Sequence, residues 1–278
     1  MSHYRIFSVL SAKVVLLLGC LMFPAVSANG ADVNQEYIVQ NPRFILYFGK
    51  DTSEVSNKIL SQGQLAKFAF GVLEDSFAEY SSLFGKTPVR KVTIRFLAPA
   101  EFRRYTGAPS WTSAMYFNDE ISIPLNNSKG VNLTDLARAI RHEYAHAVIA
   151  EISGGNCPAW LDEGIAQLLE DRVNPLLGPA LRKWIAKNDA MPLDWLQNGF
   201  TLLDEKIVPA AYAQSLFATR KLVSEHGYTG IANYLSNLND QTNSEKAFKK
   251  AFSSSTSSFT RDLTKEIKLW ARNGNYNP

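Results

Sequence analysis

Residues 142–146 read His-Glu-Tyr-Ala-His, an HExxH pattern that carries the strongest functional signal in the chain. Apolar residues recur every four positions through this stretch, which predicts a helix that ends at Gly154-Gly155. Side chains four residues apart share a helix face, so His142 and His146 can bind one metal ion. Glu143 follows the first histidine and is positioned to act as a general base.

A third ligand is expected from residues 158–166, which read Pro-Ala-Trp-Leu-Asp-Glu-Gly-Ile-Ala. Glu163 follows His146 after 16 intervening residues, and a second helix beginning near Trp160 could return antiparallel and bring it to the metal. Two histidines and one carboxylate leave a tetrahedral Zn²⁺ one position for water, which predicts a single catalytic zinc ion. The alternative is a helix with two partly buried histidines and no metal.

HEYAH followed by WLDEG resembles the gluzincin metallopeptidases of the MA clan, and WLDEGIAQ is similar to the WLNEG-type motif of the aminopeptidase N group. The chain also resembles the bacterial peptidase MA-like domain family over about residues 42–272. This resemblance implies an α+β, thermolysin-like fold with the active-site helix between an N-terminal α/β lobe and a mainly helical C-terminal lobe. It implies peptide-bond hydrolysis, with His142, His146 and Glu163 as zinc ligands and Glu143 as catalytic base.

Further roles follow from the same resemblance. Asp162 takes the place of an Asn or Asp that supports a ligating histidine in related enzymes, and Gln167, one helical turn beyond Glu163, is expected to do likewise. Tyr212 resembles the tyrosine of the family's Y-x-x-S helix and is expected to stabilise the transition state. His226 is the rival for that role, although its position before Gly227 also suits a histidine at a helix C-terminus.

Ala114, Met115 and Tyr116 precede the metal helix by about the interval at which this clan carries a substrate-binding edge strand. Such a strand binds an extended peptide by adding it to the sheet. Aminopeptidase N-type enzymes carry there a glutamate that captures the substrate's amino terminus, and residues 114–117 contain none. The resemblance therefore favours an endopeptidase acting on peptide or protein substrates. A core hairpin without substrate contact is the alternative.

The first half of the chain outside these motifs predicts a short sheet with one long helix. Residues 43–48 and 91–97 are predicted strands, and residues 54–84 show helical spacing that Gly85 ends. Residues 111–125 are predicted to form a hairpin around Asn118-Asp119.

The second half is predicted to be helical, and the serine-rich residues 253–258 are expected to form a loop. Beyond the metal helix, the predicted helices are 160–172, 177–187, 209–226, 229–238, 244–252 and 258–272. These patterns divide the chain into residues 29–130, an α/β lobe, and residues 131–278, the helical zinc-binding lobe.

Residues 1–28 are interpreted as a secretory signal peptide. Arg5 and Lys13 precede a 13-residue apolar core, and Val26-Ser27-Ala28 resembles a cleavage site. The protein is therefore expected to be exported, to the periplasm or the medium. An uncleaved membrane anchor and a lipoprotein, lipidated at Cys20, are the alternatives.

Removing residues 1–28 changes the net charge and the number of cysteines. Residues 29–278 lack Arg5 and Lys13 but keep all 26 acidic residues, so their formal net charge is +1. Near-neutrality excludes an electrostatic case for nucleic acid, and no stable membrane insertion is expected after cleavage. Cys157 is then the only cysteine, so no intramolecular disulfide can form.

Two other function classes stay open. Secreted domains of this kind can be zinc-containing binding modules without turnover. The segment 142–163 can also be ordinary core in a structural protein.

Overall fold

A computed structural model describes residues 36–52, 60–108, 112–125, 131–172, 174–200, 203–240 and 243–273. The predicted signal peptide and Cys20 lie outside these residues. Among the described helices, none combines the length and apolar character needed to span a membrane.

A strand before residue 43 and a short helix after residue 97 were not predicted, whereas the other strands and helices follow the predicted order. The strands are β1 (Tyr37–Gln40), β2 (Phe44–Phe48), β3 (Val92–Leu97), β4 (Met115–Phe117) and β5 (Glu120–Pro124). The helices are α1 (Gln62–Phe84), α2 (Pro99–Thr106), α3 (Leu133–Ser153), α4 (Ala159–Leu169), α5 (Leu177–Ile185), α6 (Val208–Asn239), α7 (Ser244–Phe252) and α8 (Thr256–Asn273), with short 3₁₀ turns at Lys50–Thr52 and Leu193–Leu196. The α+β class is confirmed.

The five strands form one sheet in the order β1-β2-β3-β5-β4. The central strands β2, β3 and β5 are parallel, whereas β1 and β4 are antiparallel edge strands. Alternate residues of β2 and β3 are buried, as the period of a strand with one covered face requires. The two strands predicted from residues 43–48 and 91–97 are confirmed.

The predicted hairpin is formed by β4 and β5. Its two turn residues, Asn118 and Asp119, have φ values of 51° and 62°. Two successive positive φ values are what a two-residue type I′ turn requires, and Asn and Asp tolerate them better than most residues. Strand β4 lies at the edge of the sheet, where it packs against α3.

Helix α1 covers the second and larger part of the segment 54–84 that was expected to be helical. It begins at Gln62, where Ser61 caps it reciprocally with Gln64, and residues 54–59 of the prediction lie outside the described residues. Its end is the predicted one, since Gly85 adopts a left-handed conformation with φ 68°.

The helical half agrees with the prediction at one junction and differs from it at another. The helices expected at 209–226 and 229–238 are confirmed as the two segments of α6, which is interrupted where Gly227 has the non-helical values φ 64° and ψ 176°. The expected loop at 253–258 shrinks to three residues, because the Ser255 hydroxyl accepts from the backbone N–H of Ser258 and starts α8 at Thr256.

Helix α3 connects the two halves of the chain. It packs against α1, β4 and β5 on the sheet side, and against α4 and α6 among the helices. Tyr144 is its buried anchor, with ring centroids 5.4 Å from Phe44 and 5.8 Å from Tyr80. The Tyr80 hydroxyl donates to the carbonyl oxygens of Arg141 and Leu169, so α1 fixes α3 relative to the end of α4. The domain boundary at residue 130 stays a prediction.

Candidate metal centre

Three side chains from α3 and α4 converge on one point. Nε2 of His142 lies 3.5 Å from Oε2 of Glu163, and Nε2 of His146 lies 4.0 Å from the same oxygen. The three candidate ligand atoms all lie within 4.8 Å of one another. The structure therefore brings together the three residues that the sequence predicts as zinc ligands.

Local backbone structure explains the convergence. Asn132 caps α3 by accepting from the N–H groups of Thr134 and Asp135. Gly154 and Gly155, with φ values of 61° and 74°, end α3 and begin the connection that brings Glu163 back to the histidines. The two imidazole rings lie edge to face with centroids 4.9 Å apart, as expected for residues one turn apart.

Carboxylates hold the other nitrogen of each imidazole. Oδ1 of Asp162 lies 2.8 Å from Nδ1 of His146, where its predicted supporting role requires it. Oε2 of Glu170 lies 2.8 Å from Nδ1 of His142. The Glu170 carboxylate is itself paired with Arg138, whose Nε lies 3.3 Å from Oε1. These contacts turn both Nε2 atoms towards Glu163, since each Nδ1 already has a partner.

Gln167 does not have its predicted role. Its amide nitrogen donates to the carbonyl oxygens of Glu163 and Tyr212, at 3.1 Å in each case, and the partner of His142 is Glu170 instead. Sequence reasoning missed Glu170, although it lies seven residues beyond Glu163 and therefore on the same helical face.

The donor set fits a zinc ion. Oε2 of Glu163 is buried without a hydrogen-bond partner, and it faces the two Nε2 atoms. A buried carboxylate oxygen without a partner is costly, and a cation bound between it and the imidazoles would satisfy it. Two imidazole nitrogens and one carboxylate oxygen are a donor set that zinc accepts in catalytic sites.

Electrostatics keep Glu163 ionised. Burial raises the pKa of its carboxyl, but the nearby imidazoles of His142 and His146 and the Tyr212 hydroxyl outweigh burial and lower it. Burial lowers the pKa of His146, and Asp162 and Glu163 together raise it to about 9. Protons and a metal ion compete for the same nitrogen atoms, so zinc affinity should fall in acid.

Glu143 lies beside the convergence point without joining it. Its side chain is only 6% exposed, and burial raises the pKa of its carboxyl above the usual value. The two histidines and the backbone N–H of Tyr116 oppose that rise. A carboxylate with an elevated pKa can take a proton and release it again, which is what a general base must do.

Tyr212 reaches the site, whereas its rival His226 does not. The Tyr212 hydroxyl donates to Oε1 of Glu163 at 3.4 Å, and its ring packs edge to face on Phe200. His226 lies 14 residues further along α6, or about 21 Å at the rise of an α-helix. There it packs on Phe252. The geometry therefore favours Tyr212.

The predicted substrate segment forms the free edge of the sheet beside the site. Met115 and Tyr116 belong to β4, and Ala114 immediately precedes it. Met115 packs against the small apolar cluster around Phe102, and the Tyr116 hydroxyl donates to Asp119 at 3.1 Å. As an edge strand, β4 has no strand partner on its outer side, as peptide binding by strand addition requires, although the Tyr116 N–H on this strand already bonds Glu143.

Cys157 is not part of the metal cluster found among the described residues. Burial raises the pKa of its thiol well above the usual value, so it has little thiolate character.

We expect Glu170→Gln to weaken zinc binding about 10- to 100-fold, because a neutral amide holds the His142 imidazole less firmly than a carboxylate does. Competition with a chelator measures the zinc dissociation constant. Glu79→Gln is the matched control. Glu79 of α1 pairs with Arg141, the neighbour of His142 on α3, but it contacts neither of the two histidines. Equal zinc affinity in the two variants would show that Glu170 does not support the ligand.

A protein family and two solved structures are similar to this chain. A family model described as "Peptidase MA superfamily" matches residues 85–268. Among solved structures, an M1 zinc metallopeptidase variant from Deinococcus radiodurans is 12% identical with a TM-score of 0.41, over 87% of this chain and 52% of that one. A two-domain M1 zinc metallopeptidase variant bound to L-tryptophan is 11% identical with a TM-score of 0.43, over 88% and 53%. The chain thus spans about half the length of these proteins. No curated protein sequence matches the chain.

Proposed function

Because this chain belongs to the peptidase MA superfamily, we propose that it is a zinc-dependent metallopeptidase that hydrolyses peptide bonds. One observation carries the proposal. The Nε2 atoms of His142 and His146 converge with a buried, otherwise unpartnered oxygen of Glu163, and a buried carboxylate, Glu143, lies beside them.

One zinc ion is proposed, held by His142, His146 and Glu163. Zinc bound there supplies a Lewis acid that polarises the substrate carbonyl and makes a water molecule more acidic. Glu143 takes a proton from the attacking water and delivers it to the leaving amine. Tyr212 donates its hydroxyl hydrogen to the carbonyl oxygen as negative charge develops there.

An endopeptidase is the proposed specificity, with peptide or protein as substrate. Residues 114–117 read Ala-Met-Tyr-Phe, so the segment lacks a carboxylate that would bind a substrate's free amino group. Tyr116 takes that place with a neutral hydroxyl, which already donates to Asp119. A substrate peptide extended along β4 therefore meets no side chain among these four residues that would bind a protonated amino terminus.

A zinc-containing binding module without turnover is the second candidate. It is favoured by the position of two clefts of about 490 and 580 Å³, which lie between α6 and α8 and between α5 and α8. Neither is lined by a residue of the metal cluster.

Metal analysis and a cleavage profile separate the two candidates. For a peptidase we expect one zinc ion per chain and cleavage within a proteome-derived peptide library, at internal bonds rather than one residue from the amino terminus. Zinc at that ratio with no cleavage would support the binding module. Purified protein that neither contains nor binds zinc would contradict both.

Export is part of the proposal and is supported by the charge and apolar pattern of residues 1–28. Intact mass of the protein from the exported fraction is expected to correspond to a chain that begins at residue 29. A chain that begins at Cys20 with added lipid mass would indicate a lipoprotein. A full-length chain in the membrane fraction would indicate an uncleaved anchor.

A further inference from the structure

Gln167 joins the two helices that carry the reacting groups. It lies on α4 one turn after Glu163, and its side chain is almost fully buried. Its amide nitrogen donates 3.1 Å bonds both to the Glu163 carbonyl on its own helix and to the Tyr212 carbonyl on α6. One side chain therefore contacts the backbone of a candidate zinc ligand and of the candidate transition-state stabiliser.

The carbonyl groups of Glu163 and Tyr212 do not need the two Gln167 bonds in order to be paired. Residues 163 and 212 lie inside helices, where each carbonyl accepts from the N–H group four residues later. The Gln167 bonds are additional to those ladders. Their effect is to cross-link α4 and α6 rather than to complete either helix.

The orientation of the amide supports this interpretation. Oε1 of Gln167 is buried without a hydrogen-bond partner. Rotating the amide by half a turn would place that oxygen against two carbonyl oxygens, so the hydrogen-bond network fixes the nitrogen where it is. Burying this oxygen without a partner costs free energy, and the two bonds that the amide nitrogen donates offset that cost. A methionine of similar length would have neither the unpaired oxygen nor the two bonds.

We infer that Gln167 is a positioning residue that sets the Tyr212 hydroxyl relative to Glu163, and this inference rests on the proposed peptidase function. The hydroxyl lies 3.4 Å from Oε1 of Glu163, at the long limit of a hydrogen bond. Its place depends on where the backbone of Tyr212 lies, and the Gln167 bond fixes that backbone. Phe200 packs against the Tyr212 ring and limits its rotation.

A double-mutant cycle tests whether Gln167 acts through Tyr212. Gln167→Met is expected to lower kcat about tenfold, with KM changed less than about twofold and zinc content unchanged, since displacement of a stabilising group chiefly affects the transition state. In the Tyr212→Phe background the same substitution is expected to cost less than about twofold. An equal loss in both backgrounds, or wild-type kcat in Gln167→Met, overturns the inference.

Gln214→Met is the matched control for activity. Gln214 is also a buried glutamine of this region, and it bonds both the N–H and the carbonyl of Met191. Its loss should lower stability, with kcat and KM within about twofold of the wild type. A tenfold loss of kcat in this control as well would show that any buried glutamine bond has the same effect, and the inference would fail.

Hydrogen exchange supplies a readout that does not depend on turnover. In zinc-loaded Gln167→Met, the amides at residues 212–217 should exchange about tenfold faster, whereas those at 229–238 of the same helix should be unchanged. If the wild type cleaves no peptide, the proposed function fails and this measurement alone decides the inference. Unchanged exchange at 212–217 would overturn it.

Discussion

Replacing Glu143 with glutamine is expected to lower kcat about 10³-fold while the protein keeps one zinc ion per chain. Glutamine has nearly the same shape as glutamate but cannot accept a proton from water at neutral pH. Tyr212 and the three ligands are untouched, so the residual rate reports what they contribute without a base.

Zinc binding and folding should survive because of where Glu143 lies. The three groups that converge on the proposed zinc ion do not include it. Burial raises the pKa of its carboxyl, which means that the surroundings disfavour the charged form. A neutral amide at this position should therefore leave the free energy of unfolding equal or slightly increased.

Glu151→Gln provides the matched control, since Glu151 lies two turns later on α3 and is exposed. It should cleave peptides at the wild-type rate. Both variants are measured for kcat, for KM and for zinc by elemental analysis. Cleavage by Glu143→Gln within about threefold of the wild type would exclude Glu143 as the base, because general bases contribute far more.

The metal helix and its ligands were predictable because their signals are local. Histidines one turn apart in a segment with buried apolar spacing must share a face, and Gly154 marks the end of that helix in a way that the sequence shows. Glu163 was predictable for a related reason, since the segment that carries it is short and begins directly after a proline.

The partner of His142 was not predictable from spacing alone. Relative to Glu163, Gln167 and Glu170 are rotated by about 40° and about 20° around the helix axis, so both lie on the ligand face. Which one reaches the imidazole depends on how α4 crosses α3, and that angle is set by buried side chains distant in sequence. Tyr80 is one of them, because its hydroxyl bonds the backbone of both helices.

The edge position of β4 also depends on contacts between residues that are distant in sequence. The turn at Asn118-Asp119 predicts the hairpin, but not which strand pairs with β3. That pairing is parallel and crosses over through α2, a helix that the sequence patterns did not predict. Only this long-range pairing leaves β4 as the edge beside α3 and turns the Tyr116 N–H towards Glu143.

The second large effect is expected at Gly164, which follows Glu163 on α4. A Cβ atom there would lie 2.0 Å from Oγ1 of Thr219 and 2.5 Å from the carbonyl oxygen of Ser215. Both contacts are with α6, and the Ser215 oxygen belongs to the backbone, which cannot rotate away. Gly164→Ala must therefore push α4 away from α6, although alanine favours helices.

We expect Gly164→Ala to lower the free energy of unfolding by about 3 kcal/mol, in the upper range for an overpacked interface. For a chain of this size the unfolding midpoint should fall by about 6–12 °C. Because any weakening of zinc binding would add to the apparent loss by mass action, the measurement is made on metal-free protein. Activity should fall too, since Glu163 and Tyr212 lie on the two helices that separate.

Gly71→Ala is the matched control, because Gly71 lies inside α1 and a Cβ there meets no atom within 4 Å. It should raise the free energy of unfolding by about 0.5–1 kcal/mol. Adding Thr219→Ala to Gly164→Ala should recover only part of the loss, because the Ser215 backbone contact persists. Full recovery would assign the whole effect to the Thr219 side chain, and an unchanged midpoint in Gly164→Ala would show that α4 and α6 are not in direct backbone contact.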